Sequence, residues 1–392
     1  MTGSKEQKRT FLTVFSLASF LNDFGSDIIY PIWPKYVVLL SGANMEVLGL
    51  IDGLGEAIVS ISQALSGYIS DRLGKRKIFI WTGYLFGSAS RIGYAFSTAW
   101  QHLIPFRVLD RFGKIRGAPR DAIVADISTQ QNRGRNFGLL RAMDNLGAVC
   151  GIIISILLFS TLGYTNLFLL AAVPSLIGAI LILIFIKDRK TKKLFKGLSL
   201  KDLTFNLKLF LFLSAVFALG TFSYSFLLIY ADSLGFEIAF PFFEIPDIAV
   251  FYLIFTVVAS LTSLPFGKLA DIMGRKAVLL LSFVFWGALC WGFIHVNSLA
   301  GIVILFLLYG LHKGAADPAQ RAFVSELAPE RYRASVLGAY QLVVGLFALP
   351  ASVIAGVLWT SLGAYTPFYL SLILTCLAIL LLLFVREKKS RA

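Results

Sequence analysis

Long apolar runs alternate with short polar interruptions along nearly the whole chain. Runs of 18 residues or more recur, each long enough to cross a hydrocarbon core of ~30 Å. The pattern predicts twelve membrane-spanning helices, at about 10–40, 46–70, 78–97, 101–125, 136–160, 164–187, 206–232, 246–271, 277–296, 299–325, 332–359 and 363–386. One polar interruption is long. It runs from Lys187 to Lys208 and holds K-D-R-K-T-K-K and K-G-L-S-L-K-D. It divides the chain into an N-terminal six-helix bundle, 1–187, a basic linker, 188–205, and a C-terminal six-helix bundle, 206–392. The predicted fold class is an all-α integral membrane protein. A basic juxtamembrane run also favours an anionic leaflet, so the linker reads as a tether or as a lipid-binding segment.

Composition agrees with this pattern. Of 392 residues, 57% are hydrophobic and 15% charged, and mean hydropathy is +0.78, whereas soluble domains are roughly 45–50% apolar. Lys5, Lys8 and Arg9 precede an apolar run too long for a cleaved signal, so the first span is expected to stay in the membrane. The net charge of +14 raises nucleic acid as a partner. Its distribution argues otherwise. Basic residues fill alternate loops, around Arg72, Arg133, Lys187, Lys268, Arg331 and Arg386, while the intervening loops hold essentially none. This is the positive-inside pattern, which puts both termini in the cytoplasm and the chain in the cytoplasmic membrane. Lipid is then the expected surround, and no nucleic acid partner is expected. Cys150, Cys290 and Cys376 sit inside apolar runs without metal-ligand spacing and read as packing residues. No metal and no cofactor is expected.

Two loops share a motif. Between the second and third spans stands G-Y-I-S-D-R-L-G-K-R-K, from Gly67 to Lys77. About two hundred residues later comes G-K-L-A-D-I-M-G-R-K, from Gly267 to Lys276. A positive-inside loop needs Lys and Arg, but it needs neither the glycines and aspartate nor a second copy. The halves repeat elsewhere too. K-I-R-G-A-P-R-D-A-I-V-A-D from Lys114 answers K-G-A-A-D-P-A-Q-R-A-F-V-S-E from Lys313, with Pro119 and Pro318 in register.

These residues resemble the signature loop of the major facilitator superfamily of secondary transporters, in its twelve-helix drug/proton-antiporter-like branch. The resemblance implies two pseudo-symmetric six-helix bundles and alternating access by rocking of one half against the other. It implies a cytoplasmic gate made of Gly67, Asp71, Arg72, Gly74, Arg76 and Lys77, with Asp271, Gly274 and Arg275 as a second latch. Asp71 would meet the inner end of span 11 or the Arg133–Arg135 loop. Pro31-Ile-Trp-Pro34 resembles a motif ending the first helix of the exporters, and Arg107-Val-Leu-Asp110-Arg111 fits the fourth-helix R-x-x-Q-G only at its arginine. Gly147-Ala-Val-Cys-Gly151-Ile152 keeps the fifth-helix glycines of the antiporters without their proline, which leaves the direction of transport open.

An ionisable group in hydrocarbon costs ~2.5–3.5 kcal/mol on insertion scales, so each one in a span is a functional candidate. Asp23, Asp27, Asp52, Glu56, Arg91, Arg107, Asp110, Arg111, Lys114, Arg141 and Asp144 lie in the first five spans. Arg107, Asp110, Arg111, Lys114 and Asp121 have the spacing of one helix face. Asp23 and Asp27 share a face, as do Asp52 and Glu56. Two readings compete: a buried salt-bridge network, or the lining of an internal wet cavity. Structure alone does not call for so many charges, because buried ion pairs are often replaceable by apolar residues. Desolvation and a like charge nearby favour the protonated form of a carboxylate, which a proton-coupling site needs. The candidates for proton coupling are Asp23, Asp27, Glu56, Arg107 and Asp110. Those for the substrate cavity are Tyr30, Asp52, Arg91, Arg111, Lys114, Arg141 and Asp144, with His312, Lys313, Asp317 and Tyr340 from the second half.

The expected function is therefore secondary active transport of a small organic solute, proton-coupled and outward, by a monomer. One alternative is an importer of an anionic or chelated solute, since Arg91, Arg107, Arg111, Lys114 and Lys313 could bind an anion. Another is a non-transporting sensor on a transporter fold. A membrane-embedded enzyme would show paired histidines or a nucleophile motif in a span, and an ATP-driven pump would show a nucleotide-binding loop. The chain has neither pattern, and it is not expected to be an enzyme.

Overall fold

Proline and glycine decide where the apolar runs stop being single helices. The computed structural model describes residues 5–128, 133–187, 203–236, 239–240, 243–244, 247–328 and 333–387. Helix α1, Lys5–Ile29, ends just before Tyr30-Pro31-Ile32, and α2, Trp33–Leu39, restarts with Pro34 in its first turn. Proline has no N–H to continue a ladder but tolerates a first turn, so the expected first span is two helices. Helices α3, Met45–Leu73, and α4, Lys77–Ala95, follow. Next come α5, Trp100–Phe112, a 3₁₀ turn, Gly113–Arg116, and α6, Gly117–Ile127. The helical run α7, Arg133–Phe185, is broken at Gly163, whose φ is 64° and ψ −174°, which separates the fifth and sixth spans.

The later helices start on side-chain caps in three places. Thr204 accepts from Leu207 N ahead of α8, Phe205–Gly220, and Ser223 accepts from Ser225 N ahead of α9, Tyr224–Ser233. Ser298 accepts from Gly301 N ahead of α12, Leu299–Leu327. Between α9 and α10, Asp247–Met273, a two-residue strand, Ala239–Phe240, pairs antiparallel with Phe243–Glu244. Helices α11, Arg275–His295, α13, Arg333–Leu362, and α14, Thr366–Phe384, complete the chain. Among the described residues, seven runs are long and apolar enough to cross a membrane by length and composition, from Leu139–Phe185 to Thr366–Phe384. Helices α1, α3, α4 and α5 are outside that set, and they carry Asp23, Asp27, Asp52, Glu56, Arg91, Arg107, Asp110 and Arg111.

The fourth span corrects one expectation. Arg107, Asp110 and Arg111 lie on α5, but the 3₁₀ turn intervenes before Asp121 on α6. A 3₁₀ turn advances three residues per turn rather than 3.6, so the single face expected through Asp121 is not kept. Gly113 and Gly117 bound the turn.

The chain forms two compact units. The first holds Met1–Ala43, Ile58–Phe195 and Ile238–Ala249; the second holds Asn44–Ala57, Lys196–Glu237 and Val250–Ala392. In the first, Phe11, Phe15 and Ala18 of α1 pack with Ile80 and Tyr84 of α4, Val124 of α6 and Ile182 of α7. Lipid tails are as apolar as these side chains, so close backbone approach and polar contacts hold such helices together. Gly147 and Gly151 of α7 supply that approach, their Cα atoms facing the α1 backbone at Phe20 and Phe24 with no room for a side chain. In the second unit, Phe217 of α8 stacks on Phe283 of α11 at 3.9 Å between centroids, and Phe293 of α11 on Phe368 of α14 at 5.3 Å. The start of α3 belongs here because Gly49 and Gly53 lie against the α13 backbone at Ser352 and Leu349. Asp52 and Glu56 travel with it.

Candidate functional site

The first unit concentrates buried charge. Arg91 of α4 is buried, and its guanidinium spends both terminal nitrogens on neutral acceptors. Nη1 donates to Ala171 O at 2.7 Å and Ser175 Oγ at 2.6 Å. Nη2 donates to Ser26 Oγ at 2.8 Å and Asn22 O at 3.3 Å. Ser175 also donates to Asn22 Oδ1 at 3.1 Å. One side chain thereby ties α1, α4 and α7 together, a geometry only the forked guanidinium offers.

Three further arginines each face an aromatic ring. The Arg107 Cζ lies 4.5 Å from the Trp33 ring centroid, Arg111 5.1 Å from Tyr30, and Arg116 4.9 Å from Tyr84. Such contacts stabilise a cation by roughly 0.5–2 kcal/mol, more where water is excluded. Arg111 Nη1 also donates to Tyr30 Oη at 3.2 Å, and its Nε lies 3.7 Å from Asp110 Oδ2. Arg116 Nη1 donates to Gly113 O at 2.8 Å. Tyr30 is brought to this cluster by the helix break at Pro31. On α1, Asp27 is buried, while Asp23 is half-buried and accepts from Asn22 Nδ2 at 2.8 Å. Lys114, in the 3₁₀ turn, is half-buried.

A second cluster lies nearer the ends of α6 and α7. Arg120 donates through Nε to Asp121 Oδ1 at 3.0 Å and through Nη1 to Ser19 Oγ at 2.6 Å. The same Nη1 is 3.9 Å from Asp144 Oδ1, and Arg141 Nη1 is 3.6 Å from Asp144 Oδ2. Asp144 is buried while Arg141 is exposed.

At the motif loop, Gly74 takes a φ of 64°, which an L side chain adopts only with strain. Arg76 is buried and its Nη1 donates to Asp126 Oδ2 of α6 at 2.7 Å. Arg72 is exposed, Gly67 and Lys77 are half-buried, and the Asp71 side chain lies outside the described residues, as do those of Arg133 and Arg135.

In the second unit the matching loop has Gly274 at φ 97°. Arg275 pairs closely with Glu326 of α12 and lies 3.6 Å from Asp271. The Glu387 carboxylate caps α11, its Oε1 accepting from Arg275 N at 2.5 Å. Lys276 Nζ donates to the Leu383 and Val385 carbonyls, both at 2.9 Å, at the end of α14.

Buried Asp52 accepts from two hydroxyls on one oxygen: Ser225 Oγ at 2.5 Å and Ser223 Oγ at 2.8 Å. Ser223 is the residue that starts α9 after the interruption at Thr221–Ser223. Asp52, expected among cavity residues, is thus bonded across the gap between α8 and α9. Glu56 is exposed. Lys313 Nζ is 3.9 Å from Asp317 Oδ1, with both side chains largely exposed. His312 is buried; its Nδ1 is 2.8 Å from Ser282 O, so Nδ1 carries the proton. Its ring lies 5.3 Å from that of Trp286. Buried Tyr340 stacks on Phe210 at 6.1 Å.

Sequence reasoning missed the neutral partners. Asn22, Ser26, Ser175, Ser223 and Ser225 carry no charge and stand far in sequence from Arg91 or Asp52. It also missed Arg116 and Arg120 as site residues and Asp126, Glu326 and Glu387 as loop partners; for the first two of these acids the repeat itself held the signal, because Asp126 and Glu326 close the two matching segments. No group of His, Cys, Asp and Glu side chains suited to a metal ion occurs among the described residues.

Comparison with known proteins agrees with this architecture. The model of the Major Facilitator Superfamily matches residues 15–252 and 210–392. An uncharacterized MFS-type transporter of Methanocaldococcus jannaschii is 37% identical over 384 residues, which cover 96% of this chain and 95% of the relative. The quinolone resistance protein NorA of Staphylococcus aureus is 28% identical over 147 residues, 37% of this chain and 36% of that protein. Among solved structures, a bacterial homolog of the human lysosomal transporter Spinster, inward-facing and unoccupied, superposes with a TM-score of 0.72 at 15% identity, covering 99% of this chain and 100% of its own. The nucleoside transporter NupG superposes with a TM-score of 0.74 at 16% identity, covering 95% and 97%. At those identities the structures speak to the fold alone. A chain that matches the family model through both halves, with twelve spans in the family's arrangement, is a multi-pass membrane protein belonging to the Major Facilitator Superfamily of transporters.

Proposed function

We propose that the protein is a proton-coupled secondary transporter that exports a small organic solute by alternating access. On this reading it works as a monomer in the cytoplasmic membrane with both termini in the cytoplasm. The observation that carries it is the set of buried ionisable residues on the spans of the first unit: Asp27, Arg91, Arg107, Asp110, Arg111 and Asp144. Arg91 has a packing role, but packing alone does not call for so many buried charges, whereas a site that takes up and releases protons does. Asp23, Asp27 and Glu56 serve as proton acceptors here, and Arg107 and Asp110 set the field around the first two. Gly67 to Lys77 and Asp271 to Arg275 form the gate motifs, and 1–187, 188–205 and 206–392 are the two bundles and their linker. The local similarity to a quinolone resistance protein supports export as the direction.

Import of an anionic solute is the second reading, supported by Arg107, Arg111, Lys114 and Arg116 crowding one short stretch with a single acid, Asp110. Proteoliposomes separate the two. Under an imposed pH gradient, a fluorescent organic cation and a fluorescent organic anion are followed separately in both orientations of the gradient. Accumulation driven by the gradient, lost when it is collapsed, is the expected result. Transport indifferent to the gradient overturns proton coupling, and accumulation down the proton gradient in the same direction overturns export.

A further inference from the structure

We infer that Asp144 of α7 carries a proton in the transport cycle, and that Arg120 of α6 is its positioning residue, passing between Ser19 and Asp144 as the proton returns and leaves. The inference deepens the proton-coupled reading above and rests on it for the words transport cycle. It begins with an oxygen that lacks a bond. Asp144 is buried, and its Oδ1 is sealed from the surface and accepts no hydrogen bond. Buried polar atoms without a partner are rare and need a physical reason. A cation is at hand but turned away. Arg120 Nη1 lies 3.9 Å from that oxygen, beyond hydrogen-bond reach, and donates instead to Ser19 Oγ of α1 at 2.6 Å. Its Nε donates to Asp121 Oδ1 at 3.0 Å, although the Asp121 side chain is half-exposed to water. A bare carboxylate at this depth would draw the guanidinium in, because charge-assisted bonds to carboxylates are the strong ones. A neutral carboxyl makes no such demand, so this is the arrangement of the proton-loaded acid.

The charged groups facing Asp144 are Asp23 of α1, Arg120 of α6 and Arg141 on its own helix, with the Ser19 hydroxyl beside it. Arg120 is faced in turn by Asp121 and by Tyr84 of α4, whose Oη is also sealed without a partner. Asp23 opposes a charge on Asp144 and the two arginines favour one, so the position of Arg120 tips the balance. Oδ2 is on the open side, 3.6 Å from Nη1 of exposed Arg141. The proton leaves from there to water, and the carboxylate regains its negative charge. A shift of about 1 Å then brings Arg120 Nη1 from Ser19 to within hydrogen-bond distance of Oδ1. Helix α6 is thereby held to α7 in place of α1. When a proton returns, that bond is lost and Ser19 takes the guanidinium back.

Infrared difference spectroscopy of the full chain in detergent tests this without any solute. Acidification should bring up a protonated-carboxyl band that shifts on carbon-13 labelling of aspartate and is lost in Asp144→Asn. Arg120→Gln should move the midpoint of that band up by about one pH unit, because a facing cation is gone. Arg120→Lys keeps the charge and should move it less. Arg141→Gln, at an exposed position that the fold tolerates, should move it in the same direction, and Asp23→Asn in the opposite one. A spectrum that keeps every aspartate band in Asp144→Asn overturns Asp144 as the proton carrier. Should that variant fail to fold, a midpoint indifferent to Arg141→Gln overturns it instead. A midpoint unmoved by Arg120→Gln overturns the positioning role. Failure of the proteoliposome experiment leaves this titration untouched, so the two conclusions fail separately. Gradient-driven accumulation that survives Asp144→Asn while the band is lost overturns the place of Asp144 in the cycle.

Discussion

Arg76 Nη1 lies 2.7 Å from Asp126 Oδ2, tying the motif loop of the first unit to the end of its fourth span. The second unit repeats the contact with Arg275 and Glu326. The basic partner stands two residues after the turn glycine in the first case and one after it in the second, so the contact is preserved while the register is not. Each acid closes a segment, Lys114 to Asp126 and Lys313 to Glu326, that the chain repeats.

The first prediction concerns that pair. Asp126 is 41% exposed, which screens its interaction with Arg76, so the pair is worth about 0.5–1 kcal/mol. A double-mutant cycle of Arg76→Ala and Asp126→Ala, read by thermal unfolding in detergent, should return a coupling of that size. Additive single effects would mean that the contact contributes nothing.

Arg91 should be far more sensitive. Removing a buried guanidinium strands the Ala171 and Asn22 carbonyls and two serine hydroxyls, at about 3 kcal/mol in total. Arg91→Lys should rescue little, since an ammonium on α4 cannot span four acceptors on α1 and α7. A melting temperature of Arg91→Lys equal to that of the unmodified protein would sink this reading.

The bond from Ser225 to Asp52 predicts a local effect. A hydrogen bond to a charged group is worth about 1.5–3 kcal/mol, and this one joins the start of α3 to the gap between α8 and α9. Ser225→Ala should raise amide hydrogen exchange at Thr221–Tyr224 more than at the middle of α11. Uniform exchange across both segments would place the bond's contribution elsewhere.

Gly274 should be a costly site of substitution. Alanine there carries a backbone penalty of about 1–3 kcal/mol for its φ of 97°. A Cβ would also stand 2.8 Å from a Glu387 carboxylate oxygen, the cap of α11. Gly274→Ala should therefore destabilise the protein less in a Glu387→Ala background than in the unmodified chain, read by thermal unfolding in detergent; an equal loss in both backgrounds counts against the cap.

Proton coupling has its own check. Once a solute is known, adding it to unbuffered detergent solutions should release protons, and Asp27→Asn or Glu56→Gln should reduce that release by half or more. Asp27 and Glu56 belong to different compact units, so their effects should add. Full release from both variants removes these acids from the coupling machinery.

The twelve spans, the repeat and the family likeness were legible in the sequence because each is local. A run of apolar residues, a loop with two glycines and an aspartate, and a basic loop all declare themselves within about twenty residues. Even the proline and glycine breaks at Pro31 and Gly163 are written where they act. What tertiary structure alone decided is which partner each charge found. Arg91 is held by carbonyls and hydroxyls from residues 65 to 84 positions away, and Asp52 by serines more than 170 away. Neutral acceptors leave no signature in charge or hydropathy, so no pattern along the chain marks Arg91 as fully engaged. That engagement exists only once the helices are packed.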